Sequence, residues 1–186
     1  MSKNIYGSLF MTLSMFGYAS TDAVIKYLGL ILPLSEIIFL RGIIAVFLLF
    51  LLTFIRKELV VAIKRSQIKF LILRVFGDVG CTVFFLTALI NMELATATAI
   101  LQCLPLALTF AAAIFLKEKV GLRRWSAILL GFIGVLIIIK PASENFNYYS
   151  LLALLAVGFI VIRDISTKRL DPSIPSTYVS LSLIHI

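Results

Sequence analysis

Six polar residues interrupt the apolar sequence where a polar group is costly: Tyr18, Thr21, Asp22, Arg41, Asp78 and Gln102. A charged side chain within a membrane span costs about 2.5–3.5 kcal/mol on insertion scales, so it usually faces a cavity or a partner. The chemistry these residue types offer is recognition rather than bond-making. Arg41 would hold a carboxylate or phosphate, and Asp22 or Asp78 a cationic group or a coupling proton. The competing reading is that Arg41 and an acid neutralise each other and orient their helices. Arg74, one turn before Asp78, is expected to snorkel to the cytoplasmic surface, and Lys26 and Lys168 to act as interfacial anchors.

Groups that would make or break bonds are missing from the pattern. The single histidine is His185, no carboxylate pair shares a helix face, and no serine nucleophile turn is present. Gly77-Asp78 matches half of an intramembrane aspartyl protease motif, without the second aspartate and its flanks. Phosphate loops and metal-ligand clusters are absent too, so neither a metal nor a cofactor is expected.

Six apolar stretches carry these residues: Ile5–Tyr27, Leu34–Ile55, Phe70–Ile90, Ala95–Leu116, Trp125–Ile139 and Tyr149–Ile162. Hydrophobic residues make up 61% of the chain and mean hydropathy is +1.11, against roughly 45–50% apolar residues in soluble domains. A helix crossing the hydrocarbon layer needs about 20 such residues. The expected fold class is therefore an all-α integral membrane protein with about six transmembrane helices. Small residues four apart, such as Ala95 with Ala99, Ala107 with Ala111, Ala127 with Gly131 and Gly77 with Cys81, would let helices pack closely. Pro105 would bend the fourth stretch or free a carbonyl.

Net charge is +8, and the basic residues alternate between connections. Lys3, the run Arg56, Lys57, Lys64, Arg65 and Lys69, the run Lys117, Lys119, Arg123 and Arg124, and Arg163, Lys168 and Arg169 all fall on one side. Lys26 and Lys140 fall on the other. Basic connections stay cytoplasmic during insertion, so a cytoplasmic N-terminus is expected. Topology accounts for the charge, and no basic stripe with interleaved aromatics suggests nucleic acid. Cys81 and Cys103 lie inside apolar stretches, where packing is their expected role.

A shift of 142 residues superposes the sixth stretch on the first. Tyr6 meets Tyr148, Asp22 meets Asp164, Lys26 meets Lys168 and Pro33 meets Pro175. With five spans between the copies they would cross in opposite senses, an inverted repeat of the kind secondary transporters use. The expected organisation is a first repeat over residues 1–141 (five helices) and the start of a second over 142–180. Together they form part of a ten-helix, 5+5 protein and would be inactive alone. Residues 181–186, Leu-Ser-Leu-Ile-His-Ile, correspond to a translated transposon end used to tag DNA libraries. They are expected to be adapter sequence, the alternative being the start of a seventh helix, and His185 is given no role.

Leu94-Ala95-Thr96-Ala97 opening the fourth stretch, Pro105 within it, and Phe115-Leu116-Lys117-Glu118 closing it, followed by Trp125, Gly131 and Gly134-Val135, resemble the drug/metabolite transporter superfamily. The likeness is to its EamA-type members and covers residues 5–180. That family usually has glycine where this chain has Lys117. The resemblance implies ten helices in two inverted five-helix repeats, with both termini cytoplasmic. A narrower likeness to uptake carriers for S-adenosylmethionine or riboflavin rests on Thr21-Asp22, Phe39-Leu40-Arg41-Gly42 and Arg163-Asp164 with Thr167 and Arg169.

The expectation is a non-enzymatic secondary carrier of a small organic metabolite in a bacterial inner membrane. It would work by alternating access, with Tyr18, Thr21, Asp22, Arg41, Asp78 and Gln102 binding the solute. Its partners would be that solute, a coupling ion and the lipid bilayer, with no nucleic acid. The rival readings are a membrane enzyme acting on lipid or isoprenoid substrates and a small multidrug-type exporter.

Overall fold

The computed structural model describes residues 3–55, 65–117, 121–140 and 146–171. The 141/142 boundary, Arg56, Lys57, Lys64, Glu118, Lys119 and the tail with His185 lie outside the described residues. Among the described residues seven helices follow one another: α1 (Lys3–Leu28), α2 (Leu34–Ile55), α3 (Arg65–Asn91), α4 (Leu94–Leu101), α5 (Leu104–Phe115), α6 (Leu122–Ile139) and α7 (Tyr149–Lys168). No strand occurs among the described residues, in agreement with an all-α membrane protein. Among the described residues five stretches are long and apolar enough to cross a bilayer: Leu34–Ile55, Gln67–Asn91, Leu94–Phe115, Leu122–Ile139 and Tyr149–Lys168. The 26 residues of α1 suffice in length. Ser8, Thr12, Ser14, Ser20, Thr21 and Asp22 dilute its apolar character.

α4 and α5 together form the expected fourth span, interrupted at Gln102 and Cys103. The cause is Pro105, which sits in the first turn of α5. Lacking an N–H, it cannot close the bond that would continue α4 past Leu101. The chain tightens instead. Gln102 N–H is shared between Thr98 O and Ala99 O (3.2 Å each), and Cys103 N–H reaches Ile100 O at 3.1 Å.

The closest packing is between α3 and α7, which run antiparallel: Asp78 meets Arg163, and Gly80 and Phe84 meet Phe159. Gly77 sets their separation. A methyl group there would lie 2.8 Å from both Phe159 O and Arg163 N, so only a residue without Cβ lets the backbones meet. Small buried residues extend the contact, with Ala88 on α3, Ala97 on α4, and Ala153 and Ala156 on α7 fully buried. Leu86, Leu89 and Ile100 fill the space between them. Gly131 similarly seats Leu106 and joins α6 to α5. Of the expected small pairs, the Gly77, Ala111 and Gly131 positions carry packing, whereas Ala95 is exposed and its neighbour Ala97 takes the buried place.

Two basic side chains tie helix ends together. Lys26, near the end of α1, donates through Nζ to Ile90 O and Met92 O, both at 2.7 Å. It thereby serves the carbonyl end of α3, where the helix dipole favours a cation. Arg169, just past α7, donates to Phe115 O at the end of α5 (2.9 Å) and lies over the Phe70 ring near the start of α3. The ends of α1 and α3 thus share one face of the bundle, and the ends of α5 and α7 share the other with the start of α3. Lys26, expected as an interfacial anchor with closure of a helix end as the alternative, joins the end of α1 to the end of α3.

Lys117 holds a left-handed conformation (φ 54°). This explains why members of the resembled family carry glycine there, since a side chain is disfavoured at that angle. Two outcomes follow for unfolding measured in mild detergent. Lys117→Gly is expected to stabilise the chain by about 1 kcal/mol, because the left-handed conformation costs a residue with Cβ about 1–2 kcal/mol and glycine's extra chain entropy returns part of it. Gly77→Ala is expected to destabilise it by about 1–3 kcal/mol through overpacking, although alanine is intrinsically the better helix former. Gly17→Ala, with nothing within 4 Å of the added methyl, is the control, expected to stabilise by up to about 1 kcal/mol through helix propensity alone.

Candidate functional site

The sequence-expected residues fall into two groups. Near the junction of α1 and α2, Asp22 is half-buried and interacts electrostatically with Arg41. Asp22 stands six residues, about 9 Å at 1.5 Å per residue, from the end of α1. Arg41 lies a comparable distance into α2, which starts where α1 ends, so the two reach similar depth. Tyr18 and Thr21 flank Asp22 on the exposed side, and the Thr21 hydroxyl donates to Gly17 O (2.9 Å). Gln102 is exposed at the break between α4 and α5. Tyr18, Thr21 and Gln102 are therefore not drawn into one enclosed site with the charges.

Asp78 belongs to a second group, which the sequence pattern did not reveal. Arg163 of α7 donates through Nη1 to Asp78 Oδ1 at 3.2 Å and through Nε to Asp164 Oδ1 at 2.8 Å. Arg74, a turn before Asp78 on the same face of α3, donates through Nη1 to the Thr167 hydroxyl at 3.4 Å. Two arginines and two aspartates thus meet between α3 and α7 with no net charge. Arg74 is half-buried and reaches toward the end of α7. Its Nε is buried and has no hydrogen-bond partner, a state that costs about 1–3 kcal/mol for a buried donor.

The reason this cluster was hidden lies in the boundary of the last helix. The apolar stretch ends at Ile162, which placed Arg163 and Asp164 in a connection, but α7 continues to Lys168. The extra turns carry Arg163 and Thr167 onto the face that meets α3. Four-residue spacing between Arg74 and Asp78, matched by Arg163 and Thr167, was the available signal: each pair lies on one helix face. A shallow depression on α6, lined by Leu122, Arg123, Trp125, Ser126 and Leu129, shares no residue with either group. No group of three or more metal-ligating residues occurs among the described residues.

Such an arrangement can bind and orient a charged solute; it presents no nucleophile with an adjacent base. Residues 5–140 match the model of the EamA-like transporter family. The chain is 30% identical over 189 residues to a riboflavin transporter of Vibrio cholerae, covering 98% of the chain and 62% of that protein. It is 27% identical over 167 residues to a pseudopaline exporter of Pseudomonas aeruginosa (89% and 57%). With an S-adenosylmethionine uptake transporter of Rickettsia felis it shares 29% identity over 159 residues (84% and 53%). The chain thus spans between about half and two thirds of the length of these relatives. No solved structure matches it.

The contribution of the Arg163 pairing is measurable by a double-mutant cycle. Arg163→Gln strands two carboxylates and is expected to destabilise more than Asp78→Asn, which leaves Arg163 with Asp164. The two changes should be non-additive by about 1–2 kcal/mol in detergent unfolding. Additive effects would show that the Asp78–Arg163 contact contributes nothing of its own.

Proposed function

The chain belongs to the EamA-like transporter family, and on that premise we propose that it carries a small organic metabolite across a bacterial inner membrane by alternating access. The observation that carries the proposal is that charged residues of both signs lie within the spans, in two groups. Asp22 with Arg41 stands near one end, and Asp78 with Arg163 and Asp164 stands toward the other. A purely structural subunit has no evident use for charges at these depths, whereas a solute with polar groups needs partners along its path. The relatives are named as transporters and exporters of small metabolites, which supports a non-enzymatic role.

In this reading α1–α6 form the first repeat and α7 opens the second. The family match over residues 5–140 supports that boundary. The N-terminus is cytoplasmic, as the alternating basic connections favour. The two repeats rock about the solute, opening it to one side at a time. Asp22 and Arg41 hold its charged groups near the outer end, with Tyr18 and Thr21 beside them. Asp78 serves the path farther in, and Gln102 offers its amide at the helix break.

Uptake of labelled riboflavin, S-adenosylmethionine and a broad metabolite panel into vesicles carrying the intact gene product tests the proposal. Saturable flux is expected for at least one solute. It should fall at least tenfold (~1.4 kcal/mol) in Asp22→Asn or Arg41→Gln variants that reach the membrane in normal amounts. Absence of flux across the panel, or full flux in both variants, would overturn it.

A further inference from the structure

The four charges between α3 and α7 divide evenly between the two helices. Arg74 and Asp78 stand four residues apart on α3, and Arg163 and Asp164 are neighbours on α7. Each helix is therefore neutral within this cluster, and charge balance does not require pairing across the seam. The hydrogen bonds nevertheless cross it. Arg163 donates through Nη1 to Asp78 Oδ1 at 3.2 Å and through Nε to Asp164 Oδ1 at 2.8 Å. Arg74 lies within electrostatic reach of Asp78, yet its hydrogen bond, at 3.4 Å, goes to the Thr167 hydroxyl. The Arg74 Nε is closed off by the helix contact and has no partner. Asp78 thus uses the arginine of the other helix and leaves the one on its own helix idle.

We propose that Asp78 is a two-position switch, exchanging Arg163 for Arg74 when α3 and α7 part. In the packed state Arg163 bridges the two aspartates. On parting, Arg163 keeps Asp164, its neighbour on α7, and Asp78 turns to Arg74, one turn away on α3. Residues four apart lie on one helix face, where an Asp–Arg pair forms within the helix. Parting also uncovers the Arg74 Nε, so the guanidinium fork meets the carboxylate with its donors free. The surroundings make the exchange necessary. A carboxylate that loses its partner within a membrane span is strongly unfavourable, so a seam held by one irreplaceable ion pair would stay shut. With the exchange, neither the packed nor the parted state holds an unpaired charge. Breaking the Arg74–Thr167 and Arg169–Phe115 O bonds strands no carboxylate either. The inference goes beyond the solute site and rests on the rocking of two repeats, with α3 in the first and α7 in the second.

The test reads the seam itself in the intact gene product, reconstituted in vesicles with its other cysteines replaced. Spin labels go on Ile68→Cys, exposed near the start of α3, and Lys168→Cys, exposed at the end of α7. Arg169 over the Phe70 ring places these two helix ends together in the packed state. Two distance populations, near and far, are expected, with the metabolite panel present or absent. Arg74→Gln should lower the far population by at least about tenfold and leave the unfolding temperature unchanged. Adding Asp78→Asn to Arg74→Gln should restore the far population, because no carboxylate is then left behind. That restoration is a readout that a merely structural arginine would not give. A far population indifferent to Arg74→Gln would overturn the switch, as would a loss that Asp78→Asn does not restore. A single near distance in wild-type protein, or a lowered unfolding temperature in Arg74→Gln, would overturn it too. An Arg74-dependent far population without flux of any solute would sink the transport reading and leave the switch standing. Saturable flux with unchanged distances in Arg74→Gln would sink the switch and leave transport standing.

Discussion

The backbone contact between α3 and α7 at Gly77 is the constraint on which the charged cluster depends. Phe159 O and Arg163 N stand where a methyl group would be, so the two helices meet as closely as backbones can. That closeness lets Arg163 reach Asp78 and lets Arg74 reach Thr167 across the seam. In lipid no hydrophobic drive holds two apolar helices together, and close packing plus interhelical hydrogen bonds must do so. Glycine and charge therefore act as one device. The glycine makes the approach possible, and the paired ions give the approach a register that sliding by one turn would destroy.

The same constraint separates a well-packed region from a sparse one. The fully buried side chains Leu86, Ala88, Leu89, Ala97, Ile100, Ala153 and Ala156 surround the α3–α7 seam. α2 buries only Ile37 and Thr53, and α1 contributes Ile25. Lys26 compensates at one end, where its bonds to the Ile90 and Met92 carbonyls, at and just past the end of α3, fasten a helix that has little apolar contact to offer. Arg41 follows from this arrangement. On a sparsely packed helix it is exposed yet within electrostatic reach of Asp22, with no salt bridge between them.

Much of the architecture was legible because a bilayer simplifies the problem. Apolar length gave the spans, and Pro105 gave the break in the fourth of them. What escaped was register. Sequence hydropathy ended the last stretch at Ile162, because Arg163 and Asp164 read as the water boundary. A helix can carry such a pair inward when each charge meets another. Lys26 escaped for a related reason. Its partners are backbone carbonyls of α3, and nothing in their side chains marks them. Asp22 and Arg41 were found by their cost in an apolar run, whereas Asp78 was found without its partner, since the partner sits 85 residues away.

The 142-residue echo acquires its meaning from these partners. Asp22 and Asp164 are matched positions, yet the residue before each differs: Thr21 in the first copy and Arg163 in the second. The first copy draws its counter-charge from α2, the next helix of the same repeat, whereas the second carries an arginine of its own and turns it toward α3. On the two-repeat division proposed above, the Asp22–Arg41 pair lies within one repeat and would travel with it as a body. The Asp78–Arg163 contact spans two repeats and would have to change when they rock. A symmetric fold need not have equivalent ends, and a single substitution beside an acid is enough to make one end rigid and the other conditional.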